Sequence, residues 1–460
     1  MEILETVSRF VWGGPVIVMV LGTGVWLSVR TGFAQLRLFP RALQSFLRRF
    51  RKGSPTDGVS PFQALCTALA ATVGTGNLVG VAGAICLGGP GSIFWMWISA
   101  LLGMATKYGE AALAVHYRTK GADGYTGGPM YVICRGLGDR WSWLASLYCF
   151  FGVIAAFGVG NATQVNAVVS GVGQVLSRFG RTPGFRENLA IGILAAMLVG
   201  IVLLGGAGRV GRIAELLVPI AAGAYIALCL GVLVLKAPQI PGAFRAIFLG
   251  AFSPGAVTGG IVGSFFQTLR TGVSRGVFTN EAGMGTAAIA HGAAEAEHPA
   301  EQGLMGIMEV FLDTILICTL TALVILCSGV PVGYGADGGG GLTVQAFCAV
   351  FGDWVSLLLA AAMCCFAFAT ILGWGYYGAR CAQYLFGDTA WKWFALAQTG
   401  MVLAAAVMKT GVIWTFSEIV NGLMSVPNLI ALCALCPVLA RLTREYGKKR
   451  ESATVFSEKP

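Results

Sequence analysis

Residues 68–85 have the sequence ALAATVGTGNLVGVAGAI, and residues 264–285 have the sequence SFFQTLRTGVSRGVFTNEAGMG. Each stretch lies in a long apolar segment and carries several glycine and polar residues. Glycine lowers helix propensity by about 1 kcal/mol per residue. Unpaired backbone inside a bilayer is tolerated only where it lines a cavity or the protein interior. Both stretches are therefore predicted to be interrupted membrane helices that face a site.

The composition of the whole chain is that of a membrane protein. Of its 460 residues, 56% are hydrophobic and only 11% are charged, whereas a soluble domain has roughly 25% charged residues. Basic residues outnumber acidic ones by 31 to 21 and lie in short segments between apolar runs. This distribution indicates membrane topology and contact with anionic lipid. The sequence thus predicts an all-α polytopic membrane protein that contacts membrane lipid and binds no nucleic acid.

The number and orientation of the spans follow from length and charge. A helix needs about 20 apolar residues to cross the ~30 Å hydrocarbon core. On this measure the sequence predicts eleven spans, near residues 11–29, 62–88, 91–115, 143–175, 188–206, 211–235, 255–291, 304–329, 343–379, 391–408 and 412–440. With the N-terminus outside, 22 Lys and Arg residues fall in inside segments and 7 in outside segments. That bias predicts an N-out, C-in topology.

The two interrupted stretches divide the spans into groups. When the first span is set aside, each stretch opens a group of five spans, and interruptions at matching positions of two halves are typical of inverted-repeat transporters. The predicted parts are an accessory first helix (1–30), a basic amphipathic segment on the cytoplasmic side (31–60), a ten-helix core (61–440) with repeats 61–236 and 237–440, and a cytoplasmic tail (441–460). The tail is expected to be disordered from Lys448.

The chemistry of a broken helix suggests what it binds. The N-terminus of a half-helix presents free amides and a partial positive charge, which suit a carboxylate. Freed carbonyls suit Na⁺ or an ammonium group. An amino acid zwitterion carries both charges, and residues 70–77 contain no ionisable side chain. The first break is therefore predicted to bind its ligand through backbone and neutral polar groups.

Ionisable residues inside the spans need partners, because a charge at the bilayer centre costs about 2.5–3.5 kcal/mol. Arg270 and Arg275 lie in the seventh span, and Glu281 is the acidic residue nearest to them in sequence. We expect one of these arginines to pair with Glu281. Asp313 is expected either to pair with one of them or to take part in proton coupling.

Two further ionisable residues, Lys107 and Glu110, lie in the inner half of the third span. The positive-inside bias places this part of the span near the cytoplasmic surface. We expect both side chains to be solvated or to belong to a gate.

Three strings resemble those of a known family: ALAATVGTGNLVGVAGAI (68–85), GGPMYVI (127–133) and TNEAGMGTAAIAHGAA (279–294). They are similar to the alanine or glycine:cation symporter family, and the resemblance extends over about residues 62–437. It implies the leucine-transporter-type 5+5 inverted repeat of the amino acid–polyamine–organocation superfamily, preceded by one extra helix. It also implies a carrier in the inner (plasma) membrane of a prokaryote.

The resemblance further implies transport of a small neutral amino acid, alanine or glycine, coupled to Na⁺ or, in some members, to H⁺. No cofactor is expected besides the coupling ion. The alternatives that stay open are a proton-coupled carrier and a carrier that prefers glutamine. The sequence leaves the oligomeric state open.

The residues implied to bind substrate lie in three spans. They are Thr75, Gly76 and Asn77 in the first break, Gln164 in the fourth span, and Phe265, Phe266 and Gln267 in the seventh. The first three are implied to meet the substrate carboxylate, and Gln164 belongs to the dense polar patch GVGNATQVNAV (158–168). A phenylalanine at the second break is expected to cap the pocket and exclude large side chains.

The resemblance places a sodium site between the first break and the ninth span. The implied ligands are the carbonyls of Ala70, Val73 and Ala367 and the hydroxyl of Thr370. Hard cations prefer oxygen ligands, and this set needs no carboxylate.

Two other classes of protein fit the sequence less well. A channel would need a continuous polar stripe or a ring of like residues, and two broken helices in one chain favour alternating access instead. A membrane enzyme would need a nucleophile–base pair or a metal cluster, and the sequence contains no GxSxG, HExxH or P-loop motif. The prediction is therefore a symporter and not an enzyme.

Overall fold

The structure is a computed structural model that describes residues 2–12, 14–52, 58–121, 124–178, 180, 184–335, 339–408 and 411–457. Its elements are almost all helical. The first half contains α1 (Glu2–Val11), α2 (Pro15–Arg30), α3 (Ala34–Arg37), α4 (Phe39–Lys52), α5 (Pro61–Thr72), α6 (Val81–Gly88), α7 (Ser92–His116), the hairpin β1 (Thr119–Gly121) and β2 (Gly124–Thr126), α8 (Pro129–Leu137), α9 (Ser142–Phe157), α10 (Thr163–Arg178), α11 (Phe185–Leu203) and α12 (Gly206–Leu235).

The described part of the second half is also helical. It contains α13 (Ile240–Phe252), α14 (Pro254–Thr258), α15 (Phe265–Asn280), α16 (Thr286–Gly292), α17 (Pro299–Val310), α18 (Thr319–Cys327), α19 (Gly339–Phe351), α20 (Val355–Phe386), α21 (Ala390–Val407), α22 (Gly411–Ala434) and α23 (Cys436–Ser457). Three π-helical segments interrupt the longer helices, at Gly76–Gly80, Gly158–Ala162 and Phe311–Cys318. Such segments are rare and occur frequently at functional sites.

The membrane assignment is confirmed by the length and apolar character of the helices. Six helical stretches of the described chain are long and apolar enough to cross a membrane, and α5 with the bent segment after it makes a seventh. The protein is therefore a multi-pass membrane protein. The count of eleven spans, the N-out, C-in orientation and the division into two repeats remain predictions.

Packing around two helices positions the site. α20 packs against α5, α9, α10 and α12, and α7 packs along α15 and α17. Close approach is possible where glycine faces a neighbouring backbone, since a Cβ on Gly272 of α15 would lie 2.2 Å from the carbonyl oxygen of Ser92. Such small-residue contacts are the usual way in which membrane helices pack tightly.

The amphipathic segment folds as a helix that rests on the core. On α4, Phe46 and Phe50 lie 6.1 and 5.9 Å from the ring of Phe62. Arg49 lies 3.6 Å from Glu301. Residues 53–57 of the predicted segment 31–60 lie outside the described residues.

The C-terminal tail differs from its prediction. α23 continues to Ser457, so the structure is helical where disorder was expected from Lys448. Residues 458–460 lie outside the described part. The reason is local, because residues 441–457 contain no glycine after Gly447 and no proline that would end the helix.

Candidate substrate and cation site

The first break occurs where the Gly-x-Gly pattern predicted it. α5 ends at Thr72, Val73 adopts an extended conformation, and the chain bends by 51° before it continues as Gly76–Gly88. The N–H of Gly74 donates to Asn77 Oδ1 at 2.8 Å. The side chain of Asn77 thus satisfies an amide that the missing helical turn would otherwise leave unpaired.

Three other helices meet this break. Thr75 donates its hydroxyl hydrogen to Gln164 Oε1 on α10 at 3.3 Å. A Cβ on Gly74 would lie 2.9 Å from the hydroxyl oxygen of Thr370 on α20, and a Cβ on Gly76 would lie 3.7 Å from the side chain of Thr279 on α15. The structure therefore brings Thr75, Gly76 and Gln164 together, and it adds Thr279.

The side chain of Gln164 is held by a second irregular segment. Its Nε2 donates to the carbonyl of Val159 at 3.2 Å, and Thr163 donates to the same carbonyl at 2.7 Å. Val159 lies in the π-helical stretch Gly158–Ala162. The extra residue per turn there re-aims the backbone, and Gln164 Oε1 is left facing the first break.

The residues implied to bind sodium supply neutral oxygens. Thr370 Oγ1 lies 3.0 Å from the carbonyl oxygen of Ala70 and 3.0 Å from that of Phe366. Val73, directly after α5, and Ala367 on α20 are both buried. Across the described residues, no three His, Cys, Asp or Glu side chains come together to hold a metal ion. A cation here would be bound by carbonyl and hydroxyl groups.

A polar network connects the two breaks behind this site. Asn77 Nδ2 donates to Asp313 Oδ1 at 2.7 Å, and Thr314 donates to Asp313 Oδ2 at 2.7 Å. Asn280, the last residue of α15, donates to Thr314 Oγ1 at 3.1 Å. Asp313 is thus neither solvated nor paired with an arginine. It fixes the side chain of Asn77, which the resemblance placed in the substrate site.

The second break lies later in the chain than expected. α15 ends at Asn280 and α16 begins at Thr286, and the turn between them places Glu281, Gly283 and Gly285 at φ values of 53°, 95° and 76°. A positive φ is uncommon for a residue other than glycine, and Glu281 is one of two such residues in the described chain.

This position corrects the placement of three predicted substrate residues. Phe265, Phe266 and Gln267 form the first turn of α15, a full helix away from the break. The ring of Phe266 is 76% exposed, and Phe265 packs against Trp95 at 5.6 Å. Gln267 donates to the carbonyl of Leu87 at 2.9 Å. The polar start of α15 was mistaken for its interruption, so these residues do not cap a pocket at the break.

The predicted charge pairs also need correction. Arg275 lies 3.8 Å from Glu418 on α22, and Arg270 lines the same cleft of about 190 Å³. Glu281 instead accepts hydrogen bonds from Trp374 Nε1 at 3.0 Å and from the hydroxyl of Thr286 at 2.6 Å. Glu281 thus faces α16 and α20, and its closeness in sequence to the two arginines did not make it their partner.

Lys107 and Glu110, which the sequence predicted to be solvated or to belong to a gate, have partners that the sequence did not show. Both are buried rather than solvated. Glu110 Oε1 accepts the N–H groups of Gly283 and Gly285 at 3.0 and 3.1 Å, so α7 holds the second break. One signal was present: ionised residues three apart on an apolar helix share a face and are candidates for function.

A helical bundle with two broken helices that meet at neutral polar groups is the arrangement of a secondary transporter. Comparisons with known proteins agree. The model of the sodium:alanine symporter family matches residues 1–459. The chain belongs to the sodium:alanine symporter family, and it is accordingly an amino-acid:cation symporter by class.

Relatives share nearly the full length. The chain is 40% identical to the sodium/alanine symporter AgcS of Methanococcus maripaludis, with 98% of each chain covered. It is 34% identical to the probable sodium/glutamine symporter GlnT of Bacillus subtilis, with 98% of this chain and 91% of the relative covered. Among solved structures, that of MhsT in complex with L-phenylalanine matches with a TM-score of 0.57 at 12% identity, covering 85% of this chain and 99% of MhsT. At that identity the likeness supports the helical transporter fold alone.

Proposed function

We propose that the protein imports a small neutral amino acid, alanine or glycine, together with Na⁺ by alternating access across the inner membrane of a prokaryote. The observation that carries this proposal is the first break. It holds no ionised side chain, yet it lies beside Gln164, Thr279 and the oxygen pair of Ala70 and Thr370. A zwitterion brings one charge of each sign, so the net charge of the loaded site would be that of the Na⁺ alone, which neutral carbonyl and hydroxyl oxygens would face.

The roles within the site are proposed as follows. Thr75, Gly76 and Asn77 begin the second half-helix of the break, so their amides and the helix dipole favour the substrate carboxylate. Gln164 Oε1 is an acceptor that suits the substrate ammonium. Asp313 takes part through Asn77, as a positioning residue.

The proposed sodium site joins the first break to α20. Its ligands are the carbonyls of Ala70, Val73 and Ala367 and the hydroxyl of Thr370. In the structure this hydroxyl donates to the Ala70 carbonyl at 3.0 Å. A bound Na⁺ would interact with both oxygens, and the O–H would then turn toward Phe366 alone, whose carbonyl it already reaches at 3.0 Å.

Selectivity for small substrates is proposed to come from the contact between Gly76 and Thr279, because α15 passes within van der Waals distance of the break. A preference for glutamine is the alternative that the GlnT relative supports. Membrane lipid is a further proposed partner, since the basic face of α4 suits anionic headgroups.

Uptake into proteoliposomes tests the proposal. Radiolabelled alanine should accumulate against its gradient when Na⁺ is outside, and it should not accumulate when choline replaces Na⁺. Unlabelled glycine and alanine should compete, and glutamine should compete poorly. Equilibration without accumulation would indicate a channel, and chemical alteration of the label would indicate an enzyme.

A further inference from the structure

A cluster of ionisable side chains surrounds the second break and takes no part in the proposed substrate site. It consists of Lys107 and Glu110 on α7, Glu281 in the break and Glu309 on α17. All four are at most 4% exposed. Lys107 Nζ lies 2.7 Å from Glu309 Oε1, and within the described chain neither Glu110 nor Glu281 forms a salt bridge. Three carboxyl groups thus share one ammonium group.

The nearby histidine does not balance the excess. His291 Nε2 lies 3.1 Å from Glu309 Oε2, and Gln302 Nε2 lies 2.7 Å from His291 Nδ1. The same Gln302 amide also faces the carbonyl of Pro61 at 3.3 Å, which makes Nε2 the donor. A neutral imidazole with its proton on Nε2 therefore satisfies both contacts, and no second positive charge is required.

Asp313 adds a fourth carboxyl group to the three that share the ammonium group of Lys107. It is fully buried and lies within electrostatic range of Lys107 and Glu309. Both of its oxygens accept hydrogen bonds, from Asn77 and Thr314, as an ionised carboxylate does. An uncompensated buried charge costs several kcal/mol, so at least one carboxyl group of this region is expected to be neutral.

Hydrogen bonding distinguishes which carboxyl group that is. Both oxygens of Glu309 accept, from Lys107 and His291, and both oxygens of Glu281 accept, from Trp374 and Thr286. The two carboxyl oxygens of Glu110 differ in their hydrogen bonding. Its Oε1 accepts from Gly283, Gly285 and Asn428, the last at 2.7 Å, whereas its buried Oε2 has no hydrogen-bond partner in the described chain.

This difference between Oε1 and Oε2 matches a protonated carboxylic acid, which has one carbonyl oxygen that accepts and one hydroxyl group that donates. Two other buried polar groups lie within electrostatic range of Glu110. The phenol oxygens of Tyr148 on α9 and Tyr377 on α20 are buried without hydrogen-bond partners among the described residues, and both interact electrostatically with Glu110. Neither phenol supplies a positive charge that would stabilise an ionised Glu110.

We propose that Glu110 binds a proton on Oε2 and that this proton controls the second break. With the proton bound, Oε1 holds the amides of Gly283 and Gly285 while no negative charge is added beside Glu281. When the proton leaves, the new carboxylate repels Glu281 and Glu309 inside the bundle, and the contact between Glu281 and Trp374 of α20 is weakened. The contacts that hold the second break, from Glu110 to Gly283 and Gly285 and from Glu281 to Trp374, are therefore favoured at low pH and weakened as Glu110 loses its proton.

Infrared spectroscopy of the full chain in lipid nanodiscs tests proton binding without any transport. The wild-type protein at neutral pH should show the C=O stretching band of a protonated carboxylic acid, shifted by H/D exchange, and Glu110→Gln should lack it. Glu281→Gln is the matched control and should retain the band. Absence of the band from the wild-type protein, or its persistence in Glu110→Gln, would overturn the proposal. If Glu110→Gln does not fold, Glu110→Asp should shift the band, and an unshifted band would count equally against it.

The effect on uptake rests on the proposed function and needs its own measurement. With a constant Na⁺ gradient and equal pH on both sides, wild-type alanine uptake should fall above the titration point by about tenfold per pH unit. In Glu110→Gln, alanine uptake should not vary with pH over the same range. A wild-type profile in that variant would overturn control by this proton. A wild-type protein that shows no uptake at any pH would refute the proposed function, and the infrared result would stand by itself.

Discussion

The two breaks of this bundle satisfy their backbone groups in opposite ways. In the first, the Gly74 amide is capped by Asn77 from the same helix, and the neighbouring side chains of Gln164 and Thr370 are neutral. In the second, the amides of Gly283 and Gly285 are bound by a carboxyl group from another helix. The break residue Glu281 is in turn tied to α20 through Trp374.

Under the two proposals above, the first break binds ligand and the second controls its own conformation. The first break keeps its polar groups next to residues that approach from three other helices, so a ligand can compete for them. The amides of Gly283 and Gly285 in the second break already bind Glu110, and the part of this stretch in the proposed site is the wall formed by Thr279 near the end of α15. Matching interruptions in two halves therefore need not contribute equally to one site.

The largest expected effect comes from filling the first break. Gly76→Leu should abolish uptake, because the Cβ alone would lie 3.7 Å from Thr279 and the rest of the side chain would occupy the carboxylate position. Gly83→Ala on α6 is the control, since a Cβ there meets nothing within 4 Å outside its own helix. Radiolabelled alanine uptake, together with the melting temperature of each purified variant, measures both. Transport by Gly76→Leu at the wild-type rate would remove the first break from the site.

A smaller loss is expected where the network behind the first break is altered. Asp313→Asn should raise the KM for the amino acid by about ten- to a hundredfold, since a hydrogen bond to a charged group contributes about 1.5–3 kcal/mol. The hydroxyl of Thr314 accepts a hydrogen bond from Asn280 and donates its own hydrogen to residue 313. In Asp313→Asn, the introduced NH₂ group would face this hydroxyl, so two donors would meet. Asp353→Asn, at an exposed position near the start of α20, should leave KM unchanged. An unaltered KM in Asp313→Asn would show that Asn77 does not need an ionised partner at position 313.

The contrast between the breaks also explains what the sequence could reveal. Gly74 and Gly76 interrupt a run without charges, so local helix propensity located the first break. In the second stretch, Arg270 and Arg275 and the polar residues of the first turn of α15 drew the predicted interruption toward its start. The turn itself depends on backbone conformations at Glu281, Gly283 and Gly285.

The partners that hold the breaks lie far away in sequence. Glu110 is 173 residues from Gly283, and Asn77 is 236 residues from Asp313. A local pattern shows that a buried acid needs a partner, but it does not show which of several distant groups the fold supplies. The pairing of Arg275 with Glu418 was missed for the same reason.

A moderate effect is expected on the apparent affinity for Na⁺, and not on that for the amino acid, when a proposed sodium ligand beside the first break is removed. Thr370→Ala should raise the Na⁺ concentration for half-maximal uptake by up to about tenfold, because it removes a neutral hydroxyl ligand worth roughly 1 kcal/mol. Thr399→Ala on α21 is the matched control, since its hydroxyl likewise donates to a carbonyl four residues earlier, that of Ala395. Na⁺ dependence of uptake at fixed alanine distinguishes them. Equal Na⁺ curves in the two variants would place the ion elsewhere.

The smallest effect is expected outside the second break, in the cleft that contains Arg275 and Glu418. Their charged atoms are 3.8 Å apart, and both side chains are about one quarter exposed, at 26% and 27%. Exposed ion pairs contribute about 0–1 kcal/mol because water screens them. Glu418→Gln should therefore change the free energy of unfolding by less than about 1 kcal/mol, measured by denaturation in detergent.

The fully buried pair of Lys107 and Glu309 provides the comparison for this small expected change in the free energy of unfolding. Glu309→Gln would leave the ammonium group of Lys107 without its 2.7 Å partner, and breaking a buried pair costs about 3–5 kcal/mol. Two ion pairs of similar formal charge, one in the partly exposed cleft beside α15 and one buried beside the second break, should thus differ severalfold in their contribution to stability. Equal losses from Glu418→Gln and Glu309→Gln would mean that water reaches the inner cluster, and the second break would then be as open to ligand as the first.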